Sequence, residues 1–396
     1  MHWARRQCFT HLLPHAGSMR AARLRCIAAH LRPARPATDP LRRRCCHVAA
    51  AGDTPRAPRV LLLGCVGWCA EQPDRDMHVA LLRSKLADPA IEIDDAALGD
   101  PDVPRLLSAA TAVIALEFSA ELLPAGSPLA LLQVPGAGTD RIDWASLEAH
   151  PHVAVANAGG HENACAEYIL MGMLNHAHDF SEAASSFRAG SWRMSGRTGG
   201  PLHRELSSGT VGILGLGMIG QETAKRAAAF GMRVLGCNRV ERRCEGMDEF
   251  FPLAAFGAMA EECDYLVLTS ALAPETEEIL SADVLGRMRE GAMVVNVGRA
   301  GLVDEAALYA ALESGALGGA MLDVWWQYPT PDDEAPRPSR LPFHELPTTT
   351  VMTPHASAWT EEMLDRRWDI VAANVRAAAA GGGAGLQSVL REAVIR

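Results

Sequence analysis

Short apolar runs alternate with longer segments of helical period along most of this chain. Residues 59–64 (RVLLLG), 112–116 (AVIAL), 129–134 (LALLQV) and 153–156 read as buried strands, and residues 76–86 carry a helical period. Residues 163–178 predict a long helix with Ala, Ile, Leu and Met on its buried faces. Beyond the glycine-rich residues 196–200 the alternation resumes. Strands are expected at 211–214, 232–237, 264–269, 292–297, 319–324 and 350–352, and helices at 221–230, 304–314 and 360–380. The Pro-rich stretch 328–347 reads as a surface loop, and a closing amphipathic segment after Gly385 is expected to return to the first domain. Strands alternating with helices imply parallel sheets joined by right-handed crossovers.

The run of residues 210–239, TVGILGLGMIGQETAKRAAAFGMRVLGCNR, organises the second half. It is a strand, a G-x-G-x-x-G turn (Gly215, Gly217, Gly220), a helix and a strand, the context in which that motif binds a dinucleotide. The first glycine permits the tight turn and the second lets backbone approach a pyrophosphate. The third permits close helix–strand packing, while the helix start offers N–H groups to phosphate. An acidic residue at the end of the next strand would hold the adenine ribose and repel a 2′-phosphate. Here that strand ends Cys237-Asn238-Arg239, and an amide beside a guanidinium suits a phosphate. The expected cofactor is therefore NADP(H), with NAD an alternative.

Charge adds a third region. Residues 1–52 hold ten Arg, no Lys and one acid, Asp39; the remaining 27 basic and 46 acidic residues leave the body at −19. A basic head on an acidic body reads as an organelle transit peptide, with residues 48–51 as a small-residue processing site and the chloroplast favoured over the mitochondrion. An acidic body argues against nucleic acid as a partner. No apolar run is long enough to span a bilayer, and no membrane partner is expected. Of ten cysteines, four lie in the head; Cys65 and Cys69 stand four apart without a second pair, and no metal site is expected.

Several ordered motifs carry a family resemblance. They are P-G-A-G-T-D-R-I-D (residues 135–143), A-E-Y (166–168), G-L-G-M-I-G (215–220), N-V-G-R-A-G-L-V-D-E (296–305), L-D-V (322–324) and T-P-H (353–355). From about residue 59 to 383 the chain resembles the D-2-hydroxyacid dehydrogenases. The resemblance implies an α/β fold of two doubly wound parallel-sheet domains. One is a flavodoxin-like substrate domain (residues 58–160 plus 356–396) and the other a Rossmann dinucleotide-binding domain (residues 161–355). It implies hydride transfer between a nicotinamide and a small 2-keto acid of the glyoxylate or hydroxypyruvate type, in a homodimer.

Residue by residue, the resemblance makes Arg299 the cation for the substrate carboxylate and His355 the proton donor, chemistry that suits a planar permanent cation and a tunable imidazole. Gly215, Gly217, Met218, Ile219 and Gly220 would line the pyrophosphate, Asn238 and Arg239 the adenosine phosphate. Thr269, Leu272 and Pro274 would flank adenine and ribose. Val297 and Gly298 would sit near the nicotinamide ribose, Asp323 at the carboxamide. Backbone of Gly136, Ala137 and Gly138 would meet the substrate. The family's Glu beside the histidine is absent: the segment reads Leu322-Asp323-Val324-Trp325-Trp326-Gln327-Tyr328-Pro329. Gln327 and Tyr328 are the local substitutes, and Asp332, Asp333 or Glu334 folding back is the alternative. Without a carboxylate His355 is expected to titrate lower than in typical relatives. Two other readings stay open: formate-dehydrogenase-like oxidation, and a dinucleotide-sensing interaction protein.

Overall fold

The computed structural model describes residues 57–64, 72–329, 336–346, 350–381 and 385–391. The basic head, Cys65, Cys69, Asp332, Asp333 and Glu334 lie outside the described residues. In chain order the first elements are β1 (Arg59–Leu63), α1 (Gln72–Leu86), β2 (Glu92–Ala96), α2 (Val103–Leu107), β3 (Ala112–Ala115), β4 (Leu131–Gln133), α3 (Trp144–Leu147) and β5 (Ala154–Ala156). Then follow α4 (Glu162–His178), α5 (Phe180–Arg188), β6 (Thr210–Leu214), α6 (Met218–Ala229), β7 (Arg233–Asn238), β8 (Glu249–Pro252), α7 (Phe256–Glu261) and β9 (Tyr265–Leu268). The last are α8 (Ala282–Leu285), β10 (Met293–Asn296), α9 (Glu305–Glu313), β11 (Gly319–Leu322), β12 (Thr350–Met352), α10 (Glu361–Ala379) and β13 (Val389–Arg391).

These elements form two compact units, one holding the chain to Pro135, Arg141–Ala156 and everything from Val371, the other Gly136–Asp140 and Asn157–Ile370. The division at Ile370 falls inside α10, not at residue 355 where the motif positions put it. Helical hydrogen bonding runs unbroken through that point, so no loop marks it.

The first unit has a six-stranded sheet in the order β13-β5-β4-β3-β1-β2. The five strands β1 to β5 are parallel, and their order is the flavodoxin-like one. The central strands are apolar throughout because both faces are covered. β13 joins β5 antiparallel, so the closing segment returns to the first unit as a strand. Buried Asn374 fixes this return: its amide donates to Gln133 Oε1 (2.6 Å) and Gln387 O (3.0 Å) and accepts from Gln387 N.

The second unit has a seven-stranded, wholly parallel sheet, β12-β11-β10-β9-β6-β7-β8. Strand order reverses between β6 and β9, and open α/β sheets bind ligands outside the strand ends at such a point. The edge strands β2 (EIDDA) and β8 (EFFP) were not expected from pattern. Both carry charge or proline, as strands at a sheet edge do, and neither reads as an apolar run. The Pro-rich stretch also departs from expectation. Phe343 is 1% exposed and stacks on Trp326 (5.8 Å between centroids), while Tyr309 meets it edge-on. Truncating it to alanine would cost about 3–5 kcal/mol. Part of the stretch is therefore core.

Candidate active site

The glycine turn lies where β6 ends, against the end of β9. Gly215 has φ +94°, and a methyl group there would lie 2.6 Å from Ser270 N. At Gly220 a methyl group would collide with the Gly215 carbonyl oxygen, so α6 can approach β6 only with glycine at that position. At Gly217 nothing lies within 4 Å. Two glycines thus make the turn, and the third keeps space open at the start of α6, the place where backbone meets a pyrophosphate. The residues present fit a dinucleotide. Met218, the first residue of α6, is exposed, and Ile219 is half-buried.

Asn238 closes β7 with its amide donating to Val240 O (2.9 Å). Arg239 pairs with Glu275 at 2.7 Å, and Arg242 donates to Leu216 O. Thr269 uses its hydroxyl to brace the turn, donating to Leu214 O and Gly215 O (3.1 and 2.7 Å). Leu272 and Pro274 are exposed beyond β9, and Val297 is buried. A methyl group on Gly298 would sit 2.8 Å from Ser270 O, so the Gly298 backbone packs against the segment after β9.

Arg299 follows β10. Buried Asn296 brackets the turn: its side chain accepts from Gly298 N (3.0 Å) and donates to Arg299 O (2.9 Å). The guanidinium donates to Gly298 O (2.8 Å) and pairs with Asp140 (2.8 Å). It packs over Gly138, whose α-carbon has no room for a methyl group. In that same loop Ala158 N holds Gly136 O and Asn157 Nδ2 holds Ala137 O. The N–H groups of Gly136, Ala137 and Gly138 donate to no described group.

His355 follows β12 in left-handed backbone, φ +55°. Fully buried Asp323, at the end of β11, holds the loop there. Its carboxylate accepts from Thr353 Oγ1 (2.6 Å), Ala356 N (2.7 Å) and Ser357 N (3.0 Å). Asp323 thus braces the loop that carries the imidazole. His355 Nδ1 lies 2.9 Å from the Tyr328 hydroxyl, and that oxygen accepts from Trp325 N (3.2 Å). Trp325 Nε1 closes the arrangement on Thr353 O (2.8 Å). Gln327 is not the histidine's partner: its backbone N–H bonds Pro338 O, and Tyr328 makes the contact.

Burial holds the His355 imidazole below its ordinary range. Asp323 opposes that shift and the Arg299 guanidinium adds to it. A phenol, unlike a carboxylate, offers no charge to favour the imidazolium. Arg299 and His355 are thus brought within reach of each other's charge on the unit that carries the glycine turn. Pattern reading missed the supports, namely Asn296, Asp140 and Trp325. It also missed buried His161 and half-buried Arg367, which carry no motif signature.

An open parallel sheet with a glycine turn at its reversal point defines a dinucleotide-binding α/β protein. The family model "D-isomer specific 2-hydroxyacid dehydrogenase, NAD binding domain" matches residues 170–357. D-3-phosphoglycerate dehydrogenase of Mycobacterium leprae is 32% identical over 321 residues, covering 77% of this chain and 58% of that one. Hydroxypyruvate reductase of Thermotoga maritima is 31% identical over 248 residues, covering 63% of this chain and 77% of that one. An NADPH-dependent glyoxylate/hydroxypyruvate reductase from Sinorhizobium meliloti, solved with NADP and sulfate, is 25% identical with a TM-score of 0.66 over 84% of this chain and 98% of that one. The chain belongs to the D-isomer specific 2-hydroxyacid dehydrogenase family. It spans under two thirds of the length of its mycobacterial relatives.

Proposed function

We propose that the protein reduces a small 2-keto acid of the glyoxylate or hydroxypyruvate type to the D-2-hydroxy acid, with NADP(H) preferred over NAD(H). The reading rests on one observation: Arg299 and His355 share a unit with a dinucleotide turn, each held by a buried bracket, Asn296 and Asp323. The cofactor, when bound, supplies the hydride. Arg299 holds the substrate carboxylate, exchanging its Asp140 partner for it, and the unengaged N–H groups of Gly136, Ala137 and Gly138 hold the same group. His355 delivers a proton to the carbonyl oxygen as carbon is reduced, and in the oxidative direction takes it back. Reduction needs the imidazolium. Because burial lowers the His355 pKa, reductive kcat/KM falls as pH rises through a value below the usual 6.5.

Purified protein assayed with NADPH and NADH against glyoxylate, hydroxypyruvate and longer keto acids tests the proposal. Turnover whose upper pH limb sits clearly above 8 would remove the proton role argued for His355. Tight cofactor binding without turnover on any acid would favour the sensing reading, which the phenol in place of a carboxylate also suits. Formate-type chemistry needs an amide at the substrate, whereas Asn157 and Asn163 are engaged with Ala137 O and Arg226. In Asn238→Asp the new carboxylate repels a 2′-phosphate, so the NADPH/NADH preference should fall at least tenfold; an unchanged ratio would reject that strand end as the selector. The reading extends to a homodimer and to a plastid location directed by residues 1–52, which an organelle import assay of the full chain would test.

A further inference from the structure

A charge pair joins the two loops that flank the glycine turn. β6 pairs with β7 on one side and β9 on the other, Leu214 lying beside Cys237 and Leu268, so both neighbouring strands end where the turn begins. Arg239 leaves the end of β7, and Glu275 comes from the loop after β9. The guanidinium donates to the carboxylate at 2.7 Å. The other arginines beyond β7 are engaged elsewhere, Arg242 with Leu216 O (3.1 Å) and Arg243 with Glu241 (3.2 Å). A carboxylate is missing from the local sequence at the end of β7, Cys237-Asn238-Arg239. The fold delivers one to Arg239 from 36 residues further on.

The loop that carries Glu275 is fixed. Thr276, 6% exposed, accepts from Ala273 N (2.9 Å) and donates to Ala271 O (3.1 Å). Its own N–H bonds Ala273 O, and Glu278 N bonds Gly301 O (2.8 Å). The Glu275 backbone N–H, and then the Arg239 guanidinium, hold its carboxyl below the usual carboxylate range, so it is charged at neutral pH. The pair itself is exchangeable. The side chains of Arg239 and Glu275 keep 73% and 38% of their exposure, and ion pairs in such contact with water are weak. A 2′-phosphate carries more charge than a carboxylate and suits the guanidinium fork, so it can displace Glu275, but only against a like charge that stays close. A 2′-hydroxyl can instead donate to the carboxylate.

We propose that Glu275 limits discrimination between the two cofactors: it occupies Arg239 until a 2′-phosphate displaces it, and it accepts from the 2′-hydroxyl of NADH. Arg239 and Glu275 are opposed halves of one selector, and the preference for NADPH is the difference between them. The proposal rests on the assignment of Arg239 to the adenosine phosphate.

The test is binding rather than turnover. NADPH and NADH are titrated by nicotinamide fluorescence into wild type and Glu275→Gln, which keeps the shape and removes the charge. The ratio of the NADH to the NADPH dissociation constant should rise at least twofold, about fivefold being the scale of one exposed charge, and the rise should shrink at high salt. Competition by 2′,5′-ADP and 5′-AMP locates the effect: the first should bind more tightly to the variant, the second should not. A ratio that moves less than twofold, or equal tightening of both competitors, would overturn the proposal. In Arg239→Met there is no guanidinium to occupy, so adding Glu275→Gln should move the ratio by less. An equal rise in that background would reject the exchange. A wild type that prefers NADH would defeat the NADPH preference, and one that reduces no keto acid would defeat the reaction. In either case the comparison with Glu275→Gln still decides the role of Glu275.

Discussion

His355 occupies backbone that side-chain-bearing residues rarely adopt, φ +55°, at a cost of about 1–3 kcal/mol. Three hydrogen bonds to one buried carboxylate, Asp323, over-determine the loop and hold it there. The partner on the imidazole decides how it titrates. Among the described groups Tyr328 gives it a hydrogen bond without charge, and burial is the largest influence, lowering its pKa. Restoring the charge should reverse this. In Tyr328→Glu an anion beside Nδ1 favours the imidazolium, so the pKa rises and the proton donor survives to higher pH. The upper limb of reductive kcat/KM should move up by at least one pH unit; a limb that stays in place would deny His355 control of that profile. Tyr328 was readable as a candidate from its position before Pro329. That it and not Gln327 reaches the histidine was not, because neighbouring side chains point differently and one residue of register decides between them.

Among the elements, the glycine turn separates ligand binding from folding. Gly220 is required by packing of α6 on β6, whereas Gly217 faces space free of protein atoms. Gly220→Ala should unfold at markedly lower temperature, since the methyl group meets backbone that has nowhere to go. Gly217→Ala should keep stability within about 1 kcal/mol, the scale of an N-cap change, yet lose NADPH affinity at least tenfold. Equal stability losses in the two variants, measured by thermal melts beside fluorescence titration of NADPH, would refute this division. The buried strands β1, β3, β6, β9 and β10 were legible because parallel strands covered on both faces are apolar throughout. The edge strands β2 and β8 were not, because an edge is kept polar or broken by proline. The strand nature of residues 389–391 was hidden too, since Asn374 and β5, far away in sequence, create it.

For the whole molecule, the second unit exposes large apolar side chains in one stretch of sequence: Met171, Phe180, Phe187, Trp192 and Leu202. Phe187 and Trp192 stack edge-on at 5.0 Å, a rigid aromatic pair of the kind that anchors interfaces. If this stretch makes the homodimer, Phe187→Asp should give a monomer by light scattering at micromolar concentration, with circular dichroism unchanged. A wild type that is itself monomeric would dismiss the dimer. No described helix is long and apolar enough to cross a membrane, and no described group of three or more His, Cys, Asp or Glu is placed to hold a metal ion.

Pattern and motif alone determined the alternation of strand and helix and the glycine turn, and singled out Arg299 and His355 as candidates. Those signals are local: a strand, turn or motif is written in consecutive residues. Tertiary structure decided what surrounds them. Asp323 braces the His355 loop, Tyr328 and not Gln327 meets the imidazole, Arg299 rests on Asp140, and Arg367 comes close enough to His161 to depress its pKa. Each of these depends on residues distant in sequence meeting in space, and burial, which sets the charge state of an imidazole or a guanidinium, exists only once the chain has closed around it.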